Sequence, residues 1–163
     1  MISLGSLDHA EAVRYLGDAR VEMNAAMEQL LSECEEQVLA VAEPKYLYKV
    51  KDLPCEALMA GEDIAAHLSG CSKAVLLCAT LGAGVDRMLR VEQVKDMSKA
   101  VVLDALSSVA IEQVCQQFDD FLSEQFPDLF QTYRFSPGYG DYPIDMQKYY
   151  LTELDAPKKI GLT

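Results

Sequence analysis

The stretch Arg134-Phe135-Ser136-Pro137-Gly138-Tyr139-Gly140-Asp141-Tyr142-Pro143 gathers unusual chemistry into one short run. Two glycines and two prolines fall within seven residues, from Pro137 to Pro143. The prolines restrict the backbone path, and Gly138 and Gly140 leave no side-chain bulk on it. Around them stand one guanidinium, three aromatic rings, one aliphatic hydroxyl and one carboxylate. Aromatic faces can stack on a flat heterocycle or hold a cation, and a guanidinium can clamp a carboxylate in a two-pronged hydrogen bond. Backbone amides near Gly138 can reach a ligand directly. The composition therefore suits either a site for a flat heterocycle with a charged tail or a structural turn.

The elements that must position this loop can be read from periodicity. Asp8 followed by Glu11 predicts a capped first helix that closes at Gly17. A second helix is predicted from Ala19 to Ala42, with Val21, Leu30, Leu31, Cys34 and Val38 on its apolar stripe and Pro44 as its stop. Lys45–Val50 alternates tyrosine and valine against lysine and reads as a strand. A short helix follows from Glu62 to Ser69, closed by Gly70. Ala74–Ala79 is apolar on both faces, which predicts a central strand covered on both sides. Gly82-Ala83-Gly84 then opens a helix. A phosphate-binding turn would need a third glycine, where Arg87 stands, or a Gly-Lys-Ser/Thr ending, so a tight strand-to-helix turn is the expectation. The longest predicted helix runs from Met97 to Gln125, with a wide apolar face from Ala100, Val101 and Leu103 to Phe121 and Leu122, and with Glu112 inside it. Beyond the loop, Ile144–Leu154 is predicted helical and Lys159–Leu162 the start of a strand. The fold class expected is α+β: one domain over residues 1–163, a small mixed or antiparallel sheet flanked by several helices.

Composition narrows the function. A formal net charge of −12 lacks the basic face that nucleic acid requires, and it disfavours an anionic membrane surface equally. No apolar run approaches the roughly 20 residues of a bilayer span, and the first residues carry no secretion signal, so a cytoplasmic protein is expected. Glu22, Glu28, Glu33, Glu35, Glu36 and Glu43 read as a solvated helix face or as a docking surface for a basic partner. Five cysteines without a C-x-x-C pair, and two distant histidines, His9 and His67, point to no metal site; the cysteines are expected to be small buried hydrophobes.

Arg134-x-Ser136-x-Gly138-Tyr139 resembles the R-x-(A/S)-x-G-Y motif with which the activation domain of cobalamin-dependent methionine synthase binds S-adenosylmethionine. The longer pattern R-x-S-P-G-Y-G-D, with Tyr142, Pro143 and Gln147 after it, is similar to the stand-alone form of that domain. Further matches keep the same order along the chain: Arg14-Tyr15-Leu16-Gly17, Ala79-Thr80-Leu81-Gly82 with Gly84-Val85-Asp86, Leu103-Asp104-Ala105, and Lys158-Lys159-Ile160-Gly161-Leu162-Thr163. The resemblance spans nearly the whole sequence.

It implies a module that binds S-adenosylmethionine beside a corrinoid whose cobalt has become oxidised, where an electron from a flavodoxin-like donor and the sulfonium methyl together restore methylcobalamin. Carried over by position, Arg134 pairs with the ligand's carboxylate, the backbone at Ser136 and Gly138 lines its path, and Tyr139 lies near ligand and corrinoid. Glu112 is similar to a helical glutamate that meets the ligand's positive end; its other reading is a solvent-facing helix residue. The corrinoid signature D-x-H-x-x-G is incomplete, since His67 and Gly70 are present but Ala65 replaces the aspartate. The cobalamin is therefore expected on a partner, a cobalamin-binding methyltransferase or corrinoid protein. The family pattern also continues past Thr163 into a P-x-K-S-V-like element, which implies a further segment. No nucleophile–base constellation stands out, so the expected catalysis is positioning of a methyl donor. Two other readings remain: a scaffold domain that docks on a corrinoid protein without catalysis, and a small-molecule enzyme using Asp141 or Glu112 as base.

Overall fold

A computed structural model describes residues 2–17 and 23–163. The chain is mixed α+β, with seven α-helices and one two-stranded antiparallel sheet among the described residues. It divides into two compact units: Met1–Lys45 with Ala79–Leu122, and Tyr46–Cys78 with Ser123–Thr163.

The first unit is helical. Helix α1 spans His9–Tyr15, and the Asp8 carboxylate caps it by accepting the Ala10 and Glu11 N–H groups at 2.9 and 3.1 Å. The Glu11 carboxylate takes the Arg14 guanidinium at 2.6 Å. Helix α2 spans Ala25–Val41 and begins at Asn24, whose side chain accepts from the Met27 N–H at 3.0 Å. The expected start at Ala19, with Val21 and Glu22, lies outside the described residues. Leu31, Cys34 and Val38 are buried at helical spacing, as the stripe predicted. Of the acidic cluster, Glu28, Glu33, Glu36 and Glu43 are exposed, whereas Glu35 is tied down.

Helix α4 of this unit spans Ala83–Lys95 and packs against α2. The glycines that open it serve that packing. A side chain at Gly84 would stand 2.5 Å from the Val41 carbonyl, and Glu43 donates its N–H to the Leu81 carbonyl at 2.7 Å. A tight turn under a neighbouring backbone accounts for both Gly82 and Gly84. Helix α5 spans Met97–Gln125 and gives most of its length to this unit, burying Ala100, Leu103, Ala110, Val114 and Phe118 along one stripe. Val101 departs from the predicted apolar face and is 48% exposed. Its neighbours Ala100, Val102 and Leu103 take the inward positions, and Val101 falls between them on the outer side of the helix.

The second unit holds the sheet. Strands β1, Lys45–Asp52, and β2, Lys73–Thr80, are joined through a 3₁₀ turn at Glu56–Leu58 and helix α3, Glu62–His67. The prediction of a central strand is corrected here. Among the described residues strand β2 pairs only with β1, burying Ala74, Leu76 and Cys78 while the alternate residues Val75, Leu77 and Ala79 are half-buried. Leu58, Leu154 and Ala156 complete that core, with α6, Met146–Leu154, and α7, Ala156–Ile160, packed on one another. The expected strand at Lys159–Leu162 is also corrected. Pro157 sits in the first turn of α7 and Gly161, at φ 72°, ends it, which is the ordinary framing of a helix.

Cys34 and Cys78 are buried and Cys55, Cys71 and Cys115 half-buried, and these five form no disulfide with one another. Burial pushes the Cys34 and Cys78 thiols above their ordinary range. Among the described residues, no helix is long and apolar enough to cross a membrane.

Candidate functional site

The loop lies wholly in the second unit, between α5 and α6, and it is closed by its own backbone. Tyr139 donates its N–H to the Ser136 carbonyl at 3.1 Å, and Tyr142 donates to the Tyr139 carbonyl at 2.9 Å. Gly138 donates to the Tyr142 carbonyl at 2.8 Å and ties the two turns together. Gly138 and Gly140 adopt φ of 99° and 52°, a region that residues with a Cβ enter at a cost.

Three anchors hold this loop to the unit. The first is Tyr142, whose side chain is fully buried and whose hydroxyl lies 3.3 Å from that of Tyr150 on α6. Burial pushes both phenols above the usual tyrosine range.

The second anchor is Asp141. Helix α3 begins at Gly61, which has no side chain with which to cap it. The Asp141 carboxylate supplies the cap, accepting the N–H of Glu62 at 2.7 Å and of Asp63 at 3.1 Å. In return the Asp63 carboxylate accepts the Asp141 N–H at 3.0 Å. The two segments approach so closely that a Cβ on Gly61 would collide with Asp141, and one on Gly140 with Asp63.

The third anchor is an aromatic cluster around His67, at the end of α3. The His67 ring stands 4.5 Å from Tyr133 and 5.0 Å from Phe135, and its Nε2 lies 3.3 Å from the Thr132 hydroxyl. Phe135 in turn meets Tyr142 at 6.1 Å and Tyr139 edge-on at 6.0 Å.

Anchoring sorts the loop by position. Phe135 and Pro137 are half-buried and Tyr142 is buried, whereas Arg134, Ser136, Gly138 and Tyr139 are exposed. The four candidate loop residues are thus exposed on a loop that Phe135, Asp141 and Tyr142 anchor. Tyr139 presents a ring that is 60% exposed. Such an arrangement offers a guanidinium, a hydroxyl, a bare stretch of backbone and an aromatic face within six residues of chain, from Arg134 to Tyr139.

Glu112 sits exposed on the part of α5 that belongs to the first unit. Asp141, one of the two carboxylates considered as a base, has both oxygens engaged by backbone donors.

Sequence reasoning missed Asp63, His67 and Thr132 as partners of the loop. One signal for the clasp was present: a helix start at Gly61 without a capping side chain must be satisfied from elsewhere. Among the described residues no group of three or more histidines, cysteines or carboxylates is arranged to hold a metal ion. No family model matches the chain, and no curated protein matches its sequence.

Proposed function

We propose that the loop from Arg134 to Tyr142 binds S-adenosylmethionine, and that the chain is a reactivation module for a cobalamin-dependent methyltransferase borne by another protein. The observation that carries this reading is the division of the loop. The residues of the R-x-S-x-G-Y pattern are exposed, while Phe135 packs on His67, Tyr142 is buried against Tyr150, and the exposed Asp141 carboxylate caps α3. A preorganised loop binds without first losing its own conformational freedom.

In this reading Arg134 pairs with the ligand's carboxylate, a charge-assisted contact for which a planar guanidinium is well shaped. The absence of a side chain at Gly138 lets the ligand approach the backbone, and the Tyr139 ring covers one face of the bound molecule. S-adenosylmethionine supplies an electrophilic methyl group on a sulfonium. The chain's contribution is to orient that methyl toward a corrinoid presented by the partner. The finer assignment of the fold, as that of the methionine synthase activation domain, belongs to the same proposal.

A scaffold function is favoured by a separate observation. Leu129, Phe130 and Tyr133, just before the loop, are 49%, 105% and 74% exposed. Apolar side chains so exposed suit contact with a protein partner.

Calorimetric titration of S-adenosylmethionine into the protein, alone and with a cob(II)alamin-bearing methyltransferase that lacks its own activation domain, tests the proposal. Saturable binding that weakens in Arg134→Ala supports the reactivation reading. Absence of binding in both arms, together with tight association of the two proteins, would leave the scaffold reading in its place.

A further inference from the structure

Helix α4 carries apolar residues on its outer face. On its inward side Val85 is buried, and Met88, Leu89 and Glu92 are half-buried. Opposite them, Arg87, Arg90, Val91 and Val94 recur at the i, i+3, i+4, i+7 spacing of a single helix face. All four are exposed, Val91 at 43% and Val94 at 88%. A valine on a solvated face gains no burial there and forms helix less readily than lysine or glutamate. Met97, just past the end of the helix, is exposed as well.

The cations of this stripe stand apart in a second way. The chain has 26 acidic side chains against 14 lysines and arginines, and at least seven of the described cations, from Arg14 to Lys158, pair with a carboxylate of the chain. Among the described residues Arg87, Arg90 and Lys95 form no ion pair, although Asp86 and Glu92 share their helix. Arg90 donates its Nε–H to the Asp86 carbonyl instead, at 3.2 Å. Residues 87–95 thus hold three cations and one carboxylate, Glu92, in a chain of net charge −12.

We propose that the outer face of α4 docks an acidic amphipathic helix of another protein, whose apolar stripe meets Val91 and Val94 while flanking carboxylates meet Arg87, Arg90 and Lys95. The stripe is one helix wide and about 20 Å long, which suits packing of helix against helix. The partner's carboxylates supply the counter-charges that this chain does not place there. A net charge of −12 sets copies of the chain against one another, so the occupant is a different protein. This face belongs to the first unit, and the inference does not rest on the function proposed for the loop.

The probe is a fluorescein-labelled helical peptide of alanine, leucine and glutamate, with leucines on one stripe and glutamates along both its sides. It is titrated with the full chain and followed by fluorescence anisotropy, beside a control peptide that carries lysine for every glutamate. The glutamate peptide is expected to bind saturably, about tenfold more tightly than the control, and to weaken as salt is raised. The double variant Arg87→Glu, Arg90→Glu should cost it about tenfold, and Val91→Ser, Val94→Ser a similar factor. All four positions are exposed, so both variants should keep the wild-type circular dichroism. If the charge reversal does not fold, Arg87→Gln, Arg90→Gln makes the same test. Equal binding of the two peptides, binding indifferent to either double variant, or no binding would overturn the proposal. So would sedimentation that finds a wild-type dimer and a monomeric valine variant, which would give the stripe to a second copy.

Discussion

Asp63 and Asp141 hold each other through backbone amides rather than through opposite charge. Each carboxylate accepts the other's N–H, at 3.1 Å for Asp63 N–H on Asp141 and 3.0 Å for Asp141 N–H on Asp63. Like charges so close would repel unless each were compensated, and the donors at the start of α3 provide that compensation. Replacing Asp141 by alanine is expected to cost about 1–2 kcal/mol of stability in urea unfolding, the usual worth of a capping side chain. Asp141→Asn, which keeps an acceptor, should lose less. Equal losses in the two variants would show that the charge, not the acceptor, matters.

Gly140→Ala should disrupt the same clasp from the other side. The added methyl meets the Asp63 carboxylate, and φ of 52° is itself unfavourable for alanine. The expected cost is on the order of 1–2 kcal/mol from backbone strain, with the displacement of Asp63 added to it. Gly138→Val carries backbone strain as well, at φ 99° and facing Ile144, so lost ligand binding in that variant must be read beside its stability. Gly140→Ala as stable as the wild type would argue against a tight clasp.

For the ligand, Arg134→Ala is expected to weaken S-adenosylmethionine binding by about 1.5–3 kcal/mol, measured calorimetrically, as loss of a charge-assisted hydrogen bond predicts. Arg134→Lys should recover only part of it, because an ammonium cannot make the planar two-pronged contact. Unchanged affinity in Arg134→Ala would remove Arg134 from the site.

The buried phenols predict a late step in alkaline titration. Burial holds Tyr142 and Tyr150 above the ordinary pKa of 10.0, so these two should ionise late in an alkaline titration. Because their folded pKa values are raised, the stability they contribute is complete below pH 10 and is lost as pH rises beyond it. Tyr150→Phe should remove one late-ionising group from an ultraviolet titration. A titration of the wild type with no ionisation later than that of Tyr150→Phe would refute the burial of this pair.

At the acid end the sign reverses. Lys49 and then Lys51 hold Glu153 down to about 2, against an ordinary 4.5. Burial pushes Glu35 up, but the Leu7 amide and the His9 ring outweigh it and lower its pKa. Groups depressed in the folded state stabilise above their unfolded pKa, and that contribution fades as pH falls from 4.5 toward 2. Glu153→Gln should flatten the acid limb of a stability–pH curve measured by chemical denaturation. A variant with the wild-type slope would mean that Glu153 titrates normally.

Local sequence determined a good deal of this protein. The period of Leu31, Cys34 and Val38 placed α2, the wide apolar stripe placed α5 from Met97 to Gln125, and alternation placed β1 at Lys45. These signals are legible because helix and strand periods are written within a few residues of one another. The loop was legible as unusual for the same reason: its glycines, prolines and aromatics are consecutive. Pro157 and Gly161 were equally local signals for α7, and there an apolar ending read as a strand was overridden by the frame around it.

Tertiary structure alone decided which loop residues hold and which face outward. Asp141 is a capping residue only because Gly61, 80 positions earlier by the numbering, cannot cap its own helix. His67 gathers Thr132, Tyr133 and Phe135 across a similar separation. The number of strands beside β2 was undecided too, since an apolar strand can be covered by helices as well as by other strands. Periodicity reports which side of an element is apolar, whereas the identity of what covers it depends on contacts between residues that no local pattern links.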